Sequence, residues 1–263
     1  MTSASQGHAP EPSGQSLAGR VAVVTGGGRG LGRAIALALA EAGADVAVAA
    51  RSKEEIEHVA FEVEERGQQS LAMPTDVTDE GAVDQLFERT LGELGGLDVL
   101  VNNSGVIHVA SILETSPEEW DRVVETNLRG TFLCMRAAGG RFAEQGSGKV
   151  INVASNMAFM GRPQVSVYSS SKAAVVVLTR TAAVEWARFG VQVNAVAPGY
   201  IETDMNAELR KNKELYSKVV GQIPARRMAQ SAEIGPLVVY LASSASDFMT
   251  GETIVFDGGE VAR

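Results

Sequence analysis

The run Val21-Ala22-Val23-Val24-Thr25 leads directly into Gly26-Gly27-Gly28-Arg29-Gly30-Leu31-Gly32, and an Ala-rich stretch to about Ala42 follows. A short, near-continuous apolar run is what a strand covered on both faces of a parallel sheet requires. Glycines immediately after it permit a tight turn and let the backbone approach a ligand closely. The helix that opens there offers unpaired amides and the positive end of its dipole. Strand, glycine turn and helix in this order predict a cradle for the pyrophosphate of a dinucleotide.

The rest of the chain repeats the strand–helix rhythm. Further strands are expected at Ala44 to Ala50, Ser70 to Met73, Asp98 to Val101, Lys149 to Ala154, Val191 to Val196 and Thr253 to Phe256. Between them lie helical stretches at Lys53 to Arg66, Glu80 to Leu94, Pro117 to Phe142, Tyr168 to Trp186, Met205 to Val220 and Ala232 to Ala242. This alternation predicts an α/β fold, a doubly wound parallel sheet of about seven strands with helices on both faces and right-handed crossovers. The 263 residues fit one such domain, expected over 17–263, with Met1 to Ser16 a disordered tail that lacks the pattern of a secretory signal. A net charge of −9 argues against nucleic acid and anionic membranes as partners. No uncharged apolar stretch reaches membrane-spanning length. One cysteine, Cys134, and three scattered histidines offer neither a disulfide nor a metal site.

Chemistry is suggested at Tyr168 and Lys172, whose spacing puts them on one helix face, a turn apart. A phenol ionises near pH 10 and is a poor acid or base at neutrality, but an adjacent ammonium favours the phenolate. A shift of roughly 3 units requires about 4 kcal/mol of differential stabilisation. Asn127 sits inside the long helix expected from Pro117, where asparagine is a weak helix former and needs a kink, a water or a partner. The second strand ends at Ala50, where an acid would hold a ribose 2′-hydroxyl, and Arg51 follows. An arginine there, with Arg29 in the glycine loop, suits a 2′-phosphate, so NADP(H) is expected rather than NAD(H).

The spacing Gly26-x-x-x-Gly30-x-Gly32, together with Tyr168-x-x-x-Lys172, resembles the short-chain dehydrogenase/reductase family in its compact single-domain branch. The resemblance runs from about Leu17 to Gly259. Asp76-Val77 looks like the family's adenine-contacting pair, and Asn102-Asn103-Ser104-Gly105 its Asn-Asn-Ala-Gly motif, with Ser104 adding a hydroxyl where the family has alanine. Pro198-Gly199, Ile201 and Thr203 are similar to the segment that contacts the nicotinamide amide, and Asp257-Gly258-Gly259 to the C-terminal signature. Ser155, 13 residues before Tyr168, matches the catalytic serine by spacing.

The resemblance implies a catalytic set of Asn127, Ser155, Tyr168 and Lys172. It implies a cofactor site built from Gly26, Arg29, Gly30, Leu31, Gly32, Arg51, Asp76, Val77, Asn103, Gly105, Tyr168, Lys172, Pro198, Gly199, Ile201 and Thr203. It also implies hydride transfer between a nicotinamide and a small carbonyl or alcohol substrate, without a metal. A homotetramer paired through the Pro117 and Tyr168 helices is expected from the family, and the acidic balance is that of an ordinary cytoplasmic enzyme.

A lid is expected at 203–224. Met157, Phe159, Met160 and Val165 suggest a partly apolar pocket for a medium-chain or ring ketone. A 3-oxoacyl-carrier-protein reductase-like enzyme is one reading. Only Arg188 is cationic in the stretches Gln145-Gly146-Ser147 and Arg188-Phe189, a poor surface for an acidic carrier. A sugar or polyol dehydrogenase is the alternative, and an epimerase or dehydratase with tightly held NAD or a non-catalytic nucleotide sensor are the rivals from other classes.

Overall fold

A computed structural model describes residues 16–203 and 206–262. Most of the expected tail, and Met205 of the expected lid, lie outside these. Seven strands among the described residues form one parallel sheet: β1 (Val21–Thr25), β2 (Asp45–Ala50), β3 (Ser70–Pro74), β4 (Val99–Asn102), β5 (Gly148–Val153), β6 (Val191–Pro198) and β9 (Thr253–Phe256). Their spatial order is β3-β2-β1-β4-β5-β6-β9, so the winding reverses between β1 and β4. In such sheets ligands bind at that reversal, beyond the carboxyl ends of the strands.

One face carries α1 (Gly30–Glu41), α2 (Lys53–Glu64) and α9 (Gly235–Ala242); the other carries α3 (Glu80–Leu94), α5 (Gly130–Gln145) and α6 (Ser166–Trp186). The central strands are apolar on both sides because both sides are covered. β1 is buried at every position, with Val24 in the core under α1 and Val23 in the core under α3 and α5.

The helix expected as one piece from Pro117 to Phe142 is broken. It comprises α4 (Pro117–Val124), a π-helical turn at Glu125–Arg129 that contains Asn127, and α5. The stretch expected as one helix at Met205 to Val220 is likewise divided into α7 (Ala207–Lys211) and α8 (Lys213–Gln222), the second capped by Asn212, whose Oδ1 accepts from Glu214 and Leu215 N–H. A two-residue pairing, β7 (Ile201–Glu202) with β8 (Ala229–Gln230), anchors the polypeptide on either side of this pair and is too short for sequence periodicity to disclose.

Candidate active site

Backbone conformation makes the glycine loop. Gly26 and Gly30 have φ of +62° and +53°, the left-handed region that glycine enters without cost. A Cβ on Gly32 would lie 2.0 Å from the Gly26 carbonyl oxygen, so the loop could not close with any other residue there. Asn103 locks the turn from β4: its Nδ2 donates to the carbonyls of Thr25 (3.2 Å) and Gly26 (2.9 Å). The backbone N–H groups of Asn103 and Ser104 donate to Thr25 Oγ1, so the Ser104 substitution leaves the β1–β4 junction tied. Asn103 thus shapes the cradle with its side chain instead of extending it toward a ligand.

The cradle fits a dinucleotide phosphate. α1 begins without a side-chain cap and without an acid in its first turn, leaving its amides for an anion. Leu31 packs on the core below, and Thr203 comes over the loop, its Cγ2 at 3.5 Å from where a Gly30 Cβ would stand. Arg51 is exposed just after β2 and, among the described residues, has no hydrogen-bond or ion-pair partner. Arg29 is exposed in the glycine loop, with a long 3.9 Å contact to Glu55. Asp76 accepts from the Thr78 N–H and hydroxyl through one oxygen, fixing the turn after β3, while Val77 packs under Gly130. Gly199 passes between Asp257 and Asn156, where a Cβ would meet Asp257 Cβ at 2.7 Å, and thereby brings Pro198 and Ile201 to the same end of the sheet.

The four chemistry-bearing residues converge. Ser155 lies two residues past the end of β5, and its Oγ accepts from Met157 N (3.2 Å) and hydrogen-bonds the Tyr168 hydroxyl. Lys172 is buried; its Nζ donates to the Val153 carbonyl (2.7 Å) and lies 6.0 Å from the centre of the Tyr168 ring. Asn127 is fully buried: Oδ1 accepts from Val106 N (2.8 Å), and Nδ2 donates to Val106 O (2.9 Å) and Ser171 Oγ (3.0 Å). Ser171 in turn donates to the Tyr168 carbonyl (2.7 Å), so the π-turn grips the helix that carries the tyrosine. Gly105 leaves the space between Asn127 and Lys172 open: a Cβ there would stand 3.4 Å from Asn127 Oδ1 and 3.5 Å from Lys172 Nζ.

The electrostatics depart from the expectation of a depressed tyrosine. Burial pushes the Tyr168 phenol above its ordinary value, and the Ser155 hydrogen bond offsets only part of this. Burial pushes Lys172 down to about 8 from 10.5, so in the protein alone the ammonium is itself weakened. Sequence spacing shows which charges are near, whereas desolvation depends on the packing around them. A stability profile follows. Between pH 8 and 10.5 the unfolded chain holds a proton on this lysine that the folded chain lacks, so the lysine's own contribution to folding stability is expected to rise with pH across that window. The integrated effect is about 3 kcal/mol. Buried Cys134 and Tyr168, both pushed up, act in the opposite sense at the upper end of the window, so the lysine is read by difference: in thermal melts of the cofactor-free proteins, stability should climb more steeply with pH in the parent than in Lys172→Met, and equal slopes would refute the assignment.

A family profile described as enoyl-(acyl carrier protein) reductase matches residues 26–260. The chain is 40% identical over 251 residues to the 2-dehydro-3-deoxy-D-gluconate 5-dehydrogenase of Escherichia coli, covering 94% of this chain and 98% of that one. The chain belongs to the short-chain dehydrogenase/reductase family. As a member it is an oxidoreductase acting on CH–OH and C=O groups.

It is also 41% identical over 210 residues to the 3-oxoacyl-[acyl-carrier-protein] reductase FabG of Staphylococcus aureus, covering 80% of this chain and 85% of that one. Among solved structures, a gluconate 5-dehydrogenase from Burkholderia cenocepacia in complex with NADP and tartrate superposes with a TM-score of 0.90 at 34% identity, covering 94% of this chain and 97% of that one.

Several short-chain dehydrogenase/reductase site features escaped sequence reasoning here. Ser171 and Thr25 are ordinary in composition and become structural only through partners 44 and 78 residues away. Of the four apolar residues expected to line a pocket, Val165 is buried, Met157 is half-buried, Phe159 is 40% exposed, and Met160 borders a cavity with Arg162, Tyr200, Gln222 and Glu260. That cavity sets Met160 and Val219 beside the polar side chains, in keeping with a partly apolar lining to which sequence reading assigns no polar groups.

Proposed function

We propose that this chain is an NADP(H)-dependent oxidoreductase that interconverts a small ketone and its secondary alcohol. The observation that carries the reading is the convergence of Ser155, Tyr168, Lys172 and Asn127 at the carboxyl end of β5, beside the glycine cradle. The dinucleotide would be held by the amides of 26–32, the positions 76–77, 103–105 and 198–203, and Lys172, with its 2′-phosphate against Arg51 and Arg29. When bound, the cofactor supplies or accepts the hydride.

The remaining steps belong to the chain. Ser155 Oγ hydrogen-bonds the carbonyl oxygen as charge develops on it. Tyr168 Oη delivers a proton to that oxygen in reduction and removes it in oxidation. Protonated Lys172 stabilises the tyrosinate left behind. Asn127 fixes the backbone of Val106 and the first turn of α6, and with them the position of Tyr168. Asn127→Leu, which orphans the Val106 N–H and C=O, is expected to cost about 1–3 kcal/mol per buried group left unpaired. A melting point equal to that of the parent would show that these bonds are not structural.

The segment 203–224, with α7 and α8, would serve as a lid over this site. A second reading, a dehydrogenase of sugar acids or polyols, is favoured over an acyl reductase by the polar groups at Arg162, Tyr200 and Gln222. Phe132, Val177 and Val184 are 46%, 59% and 82% exposed on α5 and α6, which supports the homotetramer expected from the family. The setting we propose is the cytoplasm, in keeping with one cysteine that is buried and unpaired.

The test is a cofactor-consumption screen with NADPH and NADH against keto acids, keto esters, cyclic ketones, quinones and sugars. NADPH oxidation with at least one ketone is expected. Tight NADPH binding with no turnover on any of them would favour a nucleotide sensor.

A further inference from the structure

A cavity of about 510 Å³ is lined in part by the loop that joins Ser155 to Tyr168. Met160 and Arg162 enter it from the loop between Ser155 and Tyr168, Tyr200 from the residue after Gly199, Val219 and Gln222 from α8, and Glu260 from the C-terminal turn. Asn156, next to Ser155, ties it to the catalytic strand by donating from Nδ2 to Glu260 Oε2 (2.9 Å). The volume lies in the ordinary range for a small-molecule site.

Its hydrogen bonds can be counted donor by donor. Glu260 is 3% exposed, and both of its oxygens are taken, Oε2 by Asn156 and Oε1 by Arg162 Nη2 (2.5 Å). Gln222 Oε1 accepts from the same Nη2 (2.7 Å), and the Tyr200 hydroxyl oxygen accepts from Nη1. Arg162 also lies over the Tyr200 ring, 5.3 Å from its centre. Each side-chain acceptor among these residues is therefore engaged. What remains are donors: the Tyr200 O–H, the Gln222 amide N–H groups, and the Arg162 Nε–H with one Nη1–H. Buried Glu260 and the stacked ring hold the guanidinium in one orientation, so these donors are preorganised.

We propose that this cavity is the distal substrate subsite and that it receives a carboxylate carried by a short, oxygen-rich ketone. The proposal rests on the oxidoreductase reading above and names the substrate class of that site. A ring of unpaired donors selects an acceptor-rich group, and a carboxylate takes several of them in charge-assisted bonds. An acyl chain placed there would leave the same donors desolvated and unpaired, which is costly. Met160 and Val219 supply the apolar contact for the carbon skeleton. Because Glu260 compensates the charge of Arg162, recognition comes from directed hydrogen bonds and not from net positive charge.

The experiment compares, with NADPH and the full chain, short hydroxylated ketones as free carboxylates and as their methyl esters. The free acids are expected to exceed the esters in kcat/KM by at least about tenfold, with the difference in KM. Tyr200→Phe and Gln222→Leu are each expected to lower that acid-to-ester ratio several-fold. Arg162→Gln alone would strand buried Glu260, so the paired variant Arg162→Gln with Glu260→Gln is used, and it should abolish the preference. Equal kcat/KM for acid and ester in the parent, or an unchanged ratio in all three variants, would overturn the subsite. Failure to oxidise NADPH with any ketone would instead overturn the oxidoreductase reading and this inference with it, so the two failures are told apart.

Discussion

Tyr168→Phe is expected to reduce turnover by about 10²–10⁴-fold, the usual range for losing a positioned general acid. NADPH affinity should stay within a few-fold of the parent. The substitution removes one oxygen and keeps the ring that packs 6.0 Å from Lys172 Nζ. The hydroxyl it removes bonds only Ser155 among the described residues, and Ser155 retains the Met157 N–H. Because burial already disfavours the ionised phenol, its loss is not expected to destabilise the fold appreciably. Steady-state rates and fluorescence titration of NADPH on the same preparation separate the two effects. A variant that loses NADPH binding but keeps measurable catalysis would show that Tyr168 holds the cofactor and does not move the proton.

The second large effect concerns cofactor choice. Arg51→Asp is expected to shift the NADPH-to-NADH ratio of kcat/KM by about 100-fold toward NADH. Two contributions combine: loss of a charge-assisted contact to a 2′-phosphate, and a new carboxylate where the family fold uses one to hold the ribose hydroxyl. The position is favourable for the test because the Arg51 side chain has no hydrogen-bond or ion-pair partner among the described residues, so its removal breaks no such contact there. Arg29 is the weaker contributor, being 69% exposed and paired at 3.9 Å with Glu55. A ratio unchanged by Arg51→Asp would rule out the phosphate clamp.

How far the sequence discloses this molecule can be traced residue by residue. Strands buried on both faces announce themselves as apolar runs, so the sheet and the β1–glycine–α1 unit are legible from residues 21–41 alone. The oddity of a mid-helix Asn127 is also legible, and the structure supplies all that such a residue requires: a π-turn and partners at Val106 and Ser171. Helix breaks are less legible, since α4 and α5 read as one pattern until the π-turn shifts the register between them.

Two features depend on tertiary packing and leave no local trace. One is the direction in which Tyr168 and Lys172 are shifted: the spacing places them together, but the surrounding apolar walls make desolvation the larger influence. The other is the Arg162–Glu260 pair, made by residues 98 apart, together with Tyr200 and Gln222 from separate elements. Neither periodicity nor a motif connects them.

The central claim is that the phenol of residue 168 becomes the proton carrier once positive charge reaches it. It is tested most directly by ultraviolet titration of tyrosinate in the parent and in Tyr168→Phe, each with and without saturating NADP⁺. In the parent with NADP⁺, one tyrosine is expected to ionise at least a full pH unit below any in the free protein, where burial holds Tyr168 up, and this early step should be missing from Tyr168→Phe. Identical titration curves for the two NADP⁺-bound proteins would contradict it.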